Sequence, residues 1–264
     1  MMNSKRRHRS GAKRRLNFLA VLVLPLVPYL SWGIVDVHDH FYAAPDQSVL
    51  SAWSFDFSGA SGNDSRAAFS VESHNWWRLE NQTWMLVGSY ARSDSGGVDT
   101  ADNQFLHGRF VHQFRKRGGV ELFLQTQQDR FQKLKSRHLA GFGYRIERNP
   151  KTGHRLLLGL GGFIEREAYT TLADRETAYR ANLYLTADIP IKAIKESSLG
   201  LSIYVQPRFD DFSDLRSIAV ARFETKLTEA LTLDFSLAVD RDSSPLSGVE
   251  AQNVRYSSCI TYTF

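Results

Sequence analysis

Two stretches near the end of the chain decide its fold. They are Leu231-Thr232-Leu233-Asp234-Phe235-Ser236-Leu237-Ala238-Val239-Asp240 and Val254-Arg255-Tyr256-Ser257-Ser258-Cys259-Ile260-Thr261-Tyr262-Thr263-Phe264. In the first, Leu231, Leu233, Phe235, Leu237 and Val239 share one face, and Thr232, Asp234, Ser236, Ala238 and Asp240 share the other. In the second, Val254, Tyr256, Ser258, Ile260, Tyr262 and Phe264 oppose Arg255, Ser257, Cys259, Thr261 and Thr263. A repeat of 3.6 residues would scatter both sets around a cylinder, whereas an extended strand separates them. Both stretches read as β-strands with one apolar and one polar side.

Working back from them, the same alternation predicts strands at 49–59, 66–76, 83–92, 103–114, 119–129, 136–146, 155–166, 177–188, 198–208 and 216–227, twelve in all with 230–241 and 252–264. Residues 83–92 and 155–166 carry apolar side chains on both faces and read less cleanly. The strands are longer than the roughly 5–6 residues of ordinary globular strands. They match the roughly 9–11 residues that a tilted strand needs to cross a bilayer. Connections around Arg78-Leu79-Glu80-Asn81, Lys116-Arg117-Gly118 and Thr228-Glu229 are tight; those at 93–102, 168–176 and 241–252 are longer and polar. Short turns at one end and longer loops at the other belong to bacterial outer-membrane barrels. The segments 149–151 and 190–195 are longer than that pattern predicts.

Alternation alone leaves two architectures open. A soluble sandwich turns its apolar faces inward, and a barrel in lipid turns them outward. Strand length, the even strand count and aromatic residues near strand ends favour lipid. Trp53, Trp76, Trp77, Trp84 and Tyr256, with Tyr262 and Phe264, are the candidates for interfacial girdles. Taken one at a time, each could equally be an ordinary core residue. The expected fold is all-β: an antiparallel, up-and-down transmembrane β-barrel of about 12 strands over residues 49–264.

The 264-residue chain is 42% hydrophobic and 12% aromatic, which excludes a disordered protein, and its formal net charge is +5. That charge is unevenly placed. Residues 1–33 hold Lys5, Arg6, Arg7, Arg9, Lys13, Arg14 and Arg15 and no acid, so the remainder sets 26 basic residues against all 28 acids. The basic run leads into the apolar stretch Leu16 to Leu30, with Pro25 and Pro28 inside it, and then Ser31-Trp32-Gly33. A positive start, a short apolar segment and a small-residue site describe a cleaved signal peptide over 1–33, with a linker at 34–48. A membrane anchor would need about 20 apolar residues. A nucleic-acid arm would not continue into an apolar run, so no nucleic-acid partner is expected. In an exported domain the single Cys259 offers no internal disulfide.

The terminal Ile260-Thr261-Tyr262-Thr263-Phe264 resembles the signal by which outer-membrane proteins are recognised by the barrel-assembly machinery, with Tyr262 and Phe264 as its aromatic residues. Phe55 to Ser65, with its Gly62-Asn63-Asp64 turn, resembles the first hairpin of the unknown-function barrel family known as YdiY-like or salt-induced outer-membrane proteins. There Ser or Thr is commoner where Asp64 stands. Phe123 to Phe131 and the glycine-bearing Arg137 to Arg145 are similar to later strands of that family. The resemblance implies a barrel in the outer membrane of a Gram-negative bacterium, in contact with its lipids and lipopolysaccharide, and implies no reaction.

The polar faces carry charges of both signs. The lumen candidates are Arg109, Glu121, Arg145, Arg180, Asp188, Arg208, Arg222, Glu224, Asp234 and Arg255, and Asp56, Glu72, Arg155, Glu165 and Asp240 fall on the same faces. One account is a paired network that fills a narrow interior. The other is a polar channel for a small solute. Neither sign is in excess. A nucleophile–base pair on one strand face would read His-x-Ser, which occurs only at His8-Arg9-Ser10 in the signal, while His138 falls on the apolar side. His38 and His40, with Asp36 and Asp39, could ligate a metal from an extended chain, but they sit in the linker. Gly159-Leu160-Gly161-Gly162 lacks the Lys-Ser/Thr of a phosphate loop and reads as room for large neighbours. No catalytic residue, metal or cofactor is therefore expected. The leading functions are a structural barrel or a narrow small-solute pore. The alternatives are an outer-membrane enzyme with a dispersed active site, or an exported soluble β-protein that binds a ligand in its interior.

Overall fold

Each hairpin turn sets the register of the two strands it joins. Glu80 and Asn81 alone connect residues 66–79 to 82–95, with Leu79 opposite Gln82, and Glu80 takes a positive φ of 46°. Gly96 and Gly97, at φ of 60° and 80°, turn the chain between Ser95 and Val98. Two consecutive positive φ values are what a tight right-twisting hairpin requires, and glycine takes them without strain. The expected polar loop at 93–102 is thus a two-residue turn, because alternation runs on through both flanking strands.

The computed structural model describes residues 21–22, 48–62, 65–115, 117–148, 154–171, 176–194 and 196–263. Twelve long strands follow one another: β1 (Val49–Ala60), β2 (Arg66–Leu79), β3 (Gln82–Ser95), β4 (Val98–Arg115), β5 (Gly118–Asp129), β6 (Leu134–Arg148), β7 (Arg155–Tyr169), β8 (Glu176–Pro190), β9 (Ser197–Pro207), β10 (Leu215–Lys226), β11 (Leu231–Asp242) and β12 (Gln252–Thr263). Every consecutive pair is antiparallel and adjacent in a single sheet, an up-and-down order with no crossover. An even strand number returns β12 to the end at which β1 begins. We call that end the turn side, since the 80–81 and 227–230 turns lie there, and the opposite end the loop side.

Among the described residues the sheet is not closed. β1 pairs only with β2, while the outer edge of β12 takes the short segment Val21–Leu22, opposite Thr263 and Tyr262. The sheet nonetheless curls strongly. Lys133 Nζ, between β5 and β6, donates to the carbonyl of Ser247, between β11 and β12, at 2.7 Å.

Side-chain exposure settles the direction of the faces. On β5, Glu121 is 1% exposed, while Leu122 and Leu124 are 55% and 66% exposed. On β7, Leu157, Phe163, Glu165 and Glu167 are buried and Leu156, Leu158, Leu160 and Ile164 are exposed. The charged face is inside and the apolar face outside, the inverse of a soluble sandwich. Each large apolar side chain left in water forgoes about 1.5–3 kcal/mol. An exposed apolar belt spread over most strands therefore calls for a non-aqueous neighbour.

Apolar residues also enter the interior, as two small clusters. Trp76, Met85, Val87, Phe105 and Val111 form one, and Leu157, Tyr184, Tyr204 and Ile218 the other. Trp76 is 8% exposed and so departs from the girdle expectation. It precedes Trp77 on one strand, and neighbours on a strand must face opposite sides. Two inward glycines admit large rings. A Cβ on Gly159 would lie 2.0 Å from the Tyr184 ring, and one on Gly141 would lie 2.2 Å from the Phe123 ring.

Candidate functional site

Glu165 and Glu167 stand two residues apart on β7, so both carboxylates point into the interior on the loop side. Two buried like charges persist only if cations surround them. The surrounding strands supply three. Arg180 of β8 donates through Nε to Glu165 Oε1 at 2.6 Å and through an Nη to Asp214 Oδ1 at 2.8 Å. Arg137 of β6 donates to Glu167. Arg216 reaches from β10 across the interior, within 2.8 Å of Glu165 Oε2 and 3.1 Å of both Glu167 oxygens, while its Nε bonds Asp242 at 3.0 Å. The Tyr169 hydroxyl donates to Glu167 Oε2 at 2.7 Å. Arg180 also bonds the carbonyls of Gln206 and Asp214. These groups fill the loop-side interior with charge-assisted bonds, the stronger kind.

A second layer lies deeper. Arg109 approaches Glu121 at 3.5 Å and covers the Phe123 ring at 5.6 Å. The Tyr184 hydroxyl, 63 residues away in sequence, sits 3.0 Å from both Glu121 oxygens. The His107 ring contacts Gln125, which donates to Gln127 at 3.3 Å, and Gln206 donates to Asn182 at 2.8 Å. On the turn side, Glu147 lies between Arg145 and Arg155.

Of the lumen candidates, the structure brings Arg109, Glu121, Arg145 and Arg180 into this interior as buried groups. Asp188, Arg222 and Asp234 line its half-buried turn-side part, and Glu224, opposite Asp234, is exposed. Arg255 pairs with Asp240 near the loop side. Arg208 lies beyond the end of β9, bonded to Asp210 and Glu176. That guanidinium holds the Asp210 carboxyl below the usual carboxylate range, and hydrogen bonds from Ser213 do the same for Asp211. Arg208 thus belongs to the loop rim, because the strand ends at Pro207 rather than at residue 208.

The sequence reading did not single out Arg137, Glu167, Arg216 or Asp214 as candidates. Three of them keep the parity of residues it did name: 137 with Arg145, 167 with Glu165, and 216 with Arg222. Counting by twos finds Arg137 and Arg216 inside the expected strands 136–146 and 216–227, and Glu167 one residue beyond the expected end of 155–166. Tyr184 and Gln125 had no signal beyond parity. Trp53, Trp77, Trp84 and Tyr256 are exposed on the apolar face, with Trp77 directly opposite Trp84 near the turn side. Tyr262 pairs through its backbone with Leu231, and Phe264 lies outside the described residues, as do His38 and His40. His138 is on the outer face, 3.1 Å from the Thr126 hydroxyl.

Residues 54–264 match the sequence profile of a family described as a protein of unknown function, DUF481. No curated protein matches. Among solved structures, the NanC porin is similar with 9% identity and a TM-score of 0.47, over 80% of this chain and 100% of that one. The translocator domain of the autotransporter NalP from Neisseria meningitidis is 10% identical with a TM-score of 0.41, over 82% and 86%. An anion-selective porin from Comamonas acidovorans is 10% identical with a TM-score of 0.37, over 81% and 100%.

Proposed function

From the premise that this chain belongs to the DUF481 family of unknown function, we propose that it is an outer-membrane β-barrel whose interior is filled by its own paired charges, a structural barrel or at most a narrow path for a small solute. One observation carries the reading: the apolar face is outside and the charged face inside. Water would penalise that arrangement on both faces, and a bilayer favours it on both. The exposed Trp53, Trp77, Trp84 and Tyr256 support lipid and lipopolysaccharide as neighbours. The N-terminal signal, the assembly role of Tyr262 and Phe264, and the narrower likeness to YdiY-like proteins are parts of the same proposal. Gly62, at φ 121° between β1 and β2, stands where the resemblance places the first hairpin's turn.

The small-solute reading draws on the half-exposed Asp188, Arg222 and Asp234 of the turn-side interior. Fractionation with heat-modifiable gel mobility tests the location. The protein should sediment with outer membranes and migrate faster before heating than after it. Recovery in the soluble periplasmic fraction would replace this reading with the interior-binding soluble protein. Planar-bilayer recording then separates a filled barrel, with no steady conductance, from an open pore. Turnover of a lipid substrate by purified protein would revive the enzyme alternative.

A further inference from the structure

The turn-side mouth of the interior encloses a cavity of about 380 Å³. Arg78, Arg117, Arg145 and Arg155 line it, together with Glu80 and Glu147. They arrive from separate elements: the end of β2 and its turn, the β4–β5 turn, the end of β6 and the start of β7. The backbone ties the rim together, since the Glu147 amide donates to the Arg117 carbonyl at 2.9 Å. Glu147 is shared, with Oε1 2.8 Å from Arg155 Nε and Oε2 3.4 Å from an Arg145 nitrogen. Glu80 sits exposed at the tip of its turn. Along this wall four positive charges stand against two negative ones, a formal +2, whereas farther round the same mouth Arg222 is outnumbered by Asp188, Asp234 and Glu224. Asn81, Thr83 and Gln113 add neutral hydrogen-bonding groups to the same wall.

The loop-side network is built differently. There Glu165, Glu167, Asp214 and Asp242 surround Arg137, Arg180 and Arg216, so in this network acids outnumber bases four to three. Positive excess is therefore a property of this one wall, not of the whole mouth or interior. A concave, low-dielectric wall concentrates such a field. Guanidinium forks also match the paired oxygens of carboxylate and phosphate.

The geometry points to this mouth as a binding site for a small, soluble, multivalent anion that bears carboxylate or phosphate oxygens. The volume falls within the range of small-molecule pockets. The inference uses the barrel reading only for which face lines the lumen. Equilibrium binding depends neither on conductance nor on cellular location, so its failure is distinguishable from a failure of that reading.

The test is calorimetric titration of the refolded full chain in neutral detergent with citrate and, separately, with inorganic pyrophosphate. Saturable binding of either is expected. The double variant Arg78→Gln/Arg117→Gln should weaken it about tenfold or more, the loss expected for charge-assisted hydrogen bonds. Glu80→Gln should tighten it, an inverse effect that a merely structural role would not produce. Arg208→Gln, at the opposite rim, should leave it unchanged. If the double variant does not refold, Arg117→Gln alone, on an exposed turn, carries the comparison. Adding phosphatidylglycerol to the detergent should not compete; competition would make a lipid headgroup the occupant and overturn the soluble-ligand assignment. Absence of saturable binding, or parent-like binding by the arginine variants, would overturn the site itself.

Discussion

Arg216 shows what a single side chain does inside this sheet. It bridges two carboxylates of β7 and one of β11, so its removal strands buried charge rather than deleting one bond. Arg216→Ala should cost about 3–5 kcal/mol, the range for breaking a buried ion pair from one side. Urea unfolding of the protein in lipid vesicles measures this, and a midpoint unchanged from the parent would contradict the network. Arg216→Lys should recover little, because an ammonium cannot reproduce a fork that contacts three carboxylates. Gly159 is a steric counterpart. Gly159→Ala would place a methyl within the Tyr184 ring and should cost about 1–3 kcal/mol by overpacking. The second substitution Tyr184→Leu in the same background should return part of that loss, since the ring is what the new methyl meets.

At the scale of the strand, the adjacent tryptophans give the most direct reading of sidedness. Trp77 and Trp84 face outward and Trp76 inward. Single-tryptophan variants retaining Trp77 or Trp84 should be quenched by brominated lipids, and the variant retaining Trp76 should not. Equal quenching of all three would contradict the assigned faces. Much of this level was legible in the sequence. The twelve strands follow from period two alone, because a half-buried strand must alternate whichever face is buried. Strand ends were less legible: Ser93 to Asp102 is polar and glycine-bearing, so it read as a loop, yet polar residues outside a bilayer extend a hairpin without penalty. Alternation alone did not give the direction of the faces, since a sandwich and a lipid-bound barrel share one pattern. Strand length, the even strand count and the aromatic residues near strand ends were what turned the apolar face outward. The pairing across the interior was not legible, because Glu121 with Tyr184 and Glu165 with Arg216 depend on curvature, which no local pattern encodes. The edge of β1 adds a further expectation. An unpaired row of amides in hydrocarbon costs several kcal/mol per group, so in vesicles β1 should be paired on both edges. Its amides should then exchange with deuterium as slowly as those of β7. Fast exchange at alternate residues of β1 would mean that the edge stays open.

For the whole molecule, the sheet order has a consequence in time. Among the twelve long strands, backbone pairing links consecutive strands, so every hairpin can form from nearby residues, which favours rapid pairing. The bonds between distant strands and loops are different: inside, Glu121 finds Tyr184 across 63 residues and Arg216 finds Glu165 across 51, and at the exposed loop side Lys133 reaches Ser247 across 114. Longer chain segments must be gathered before those contacts form, and each carries a larger loop-closure entropy. Refolding into vesicles should therefore run in two stages, with β-structure appearing in circular dichroism before the change in gel mobility. Arg216→Ala should slow the second stage and leave the first nearly untouched. That outcome would make the interior charges a late checkpoint, which a chain passes only after its strands have been laid in order.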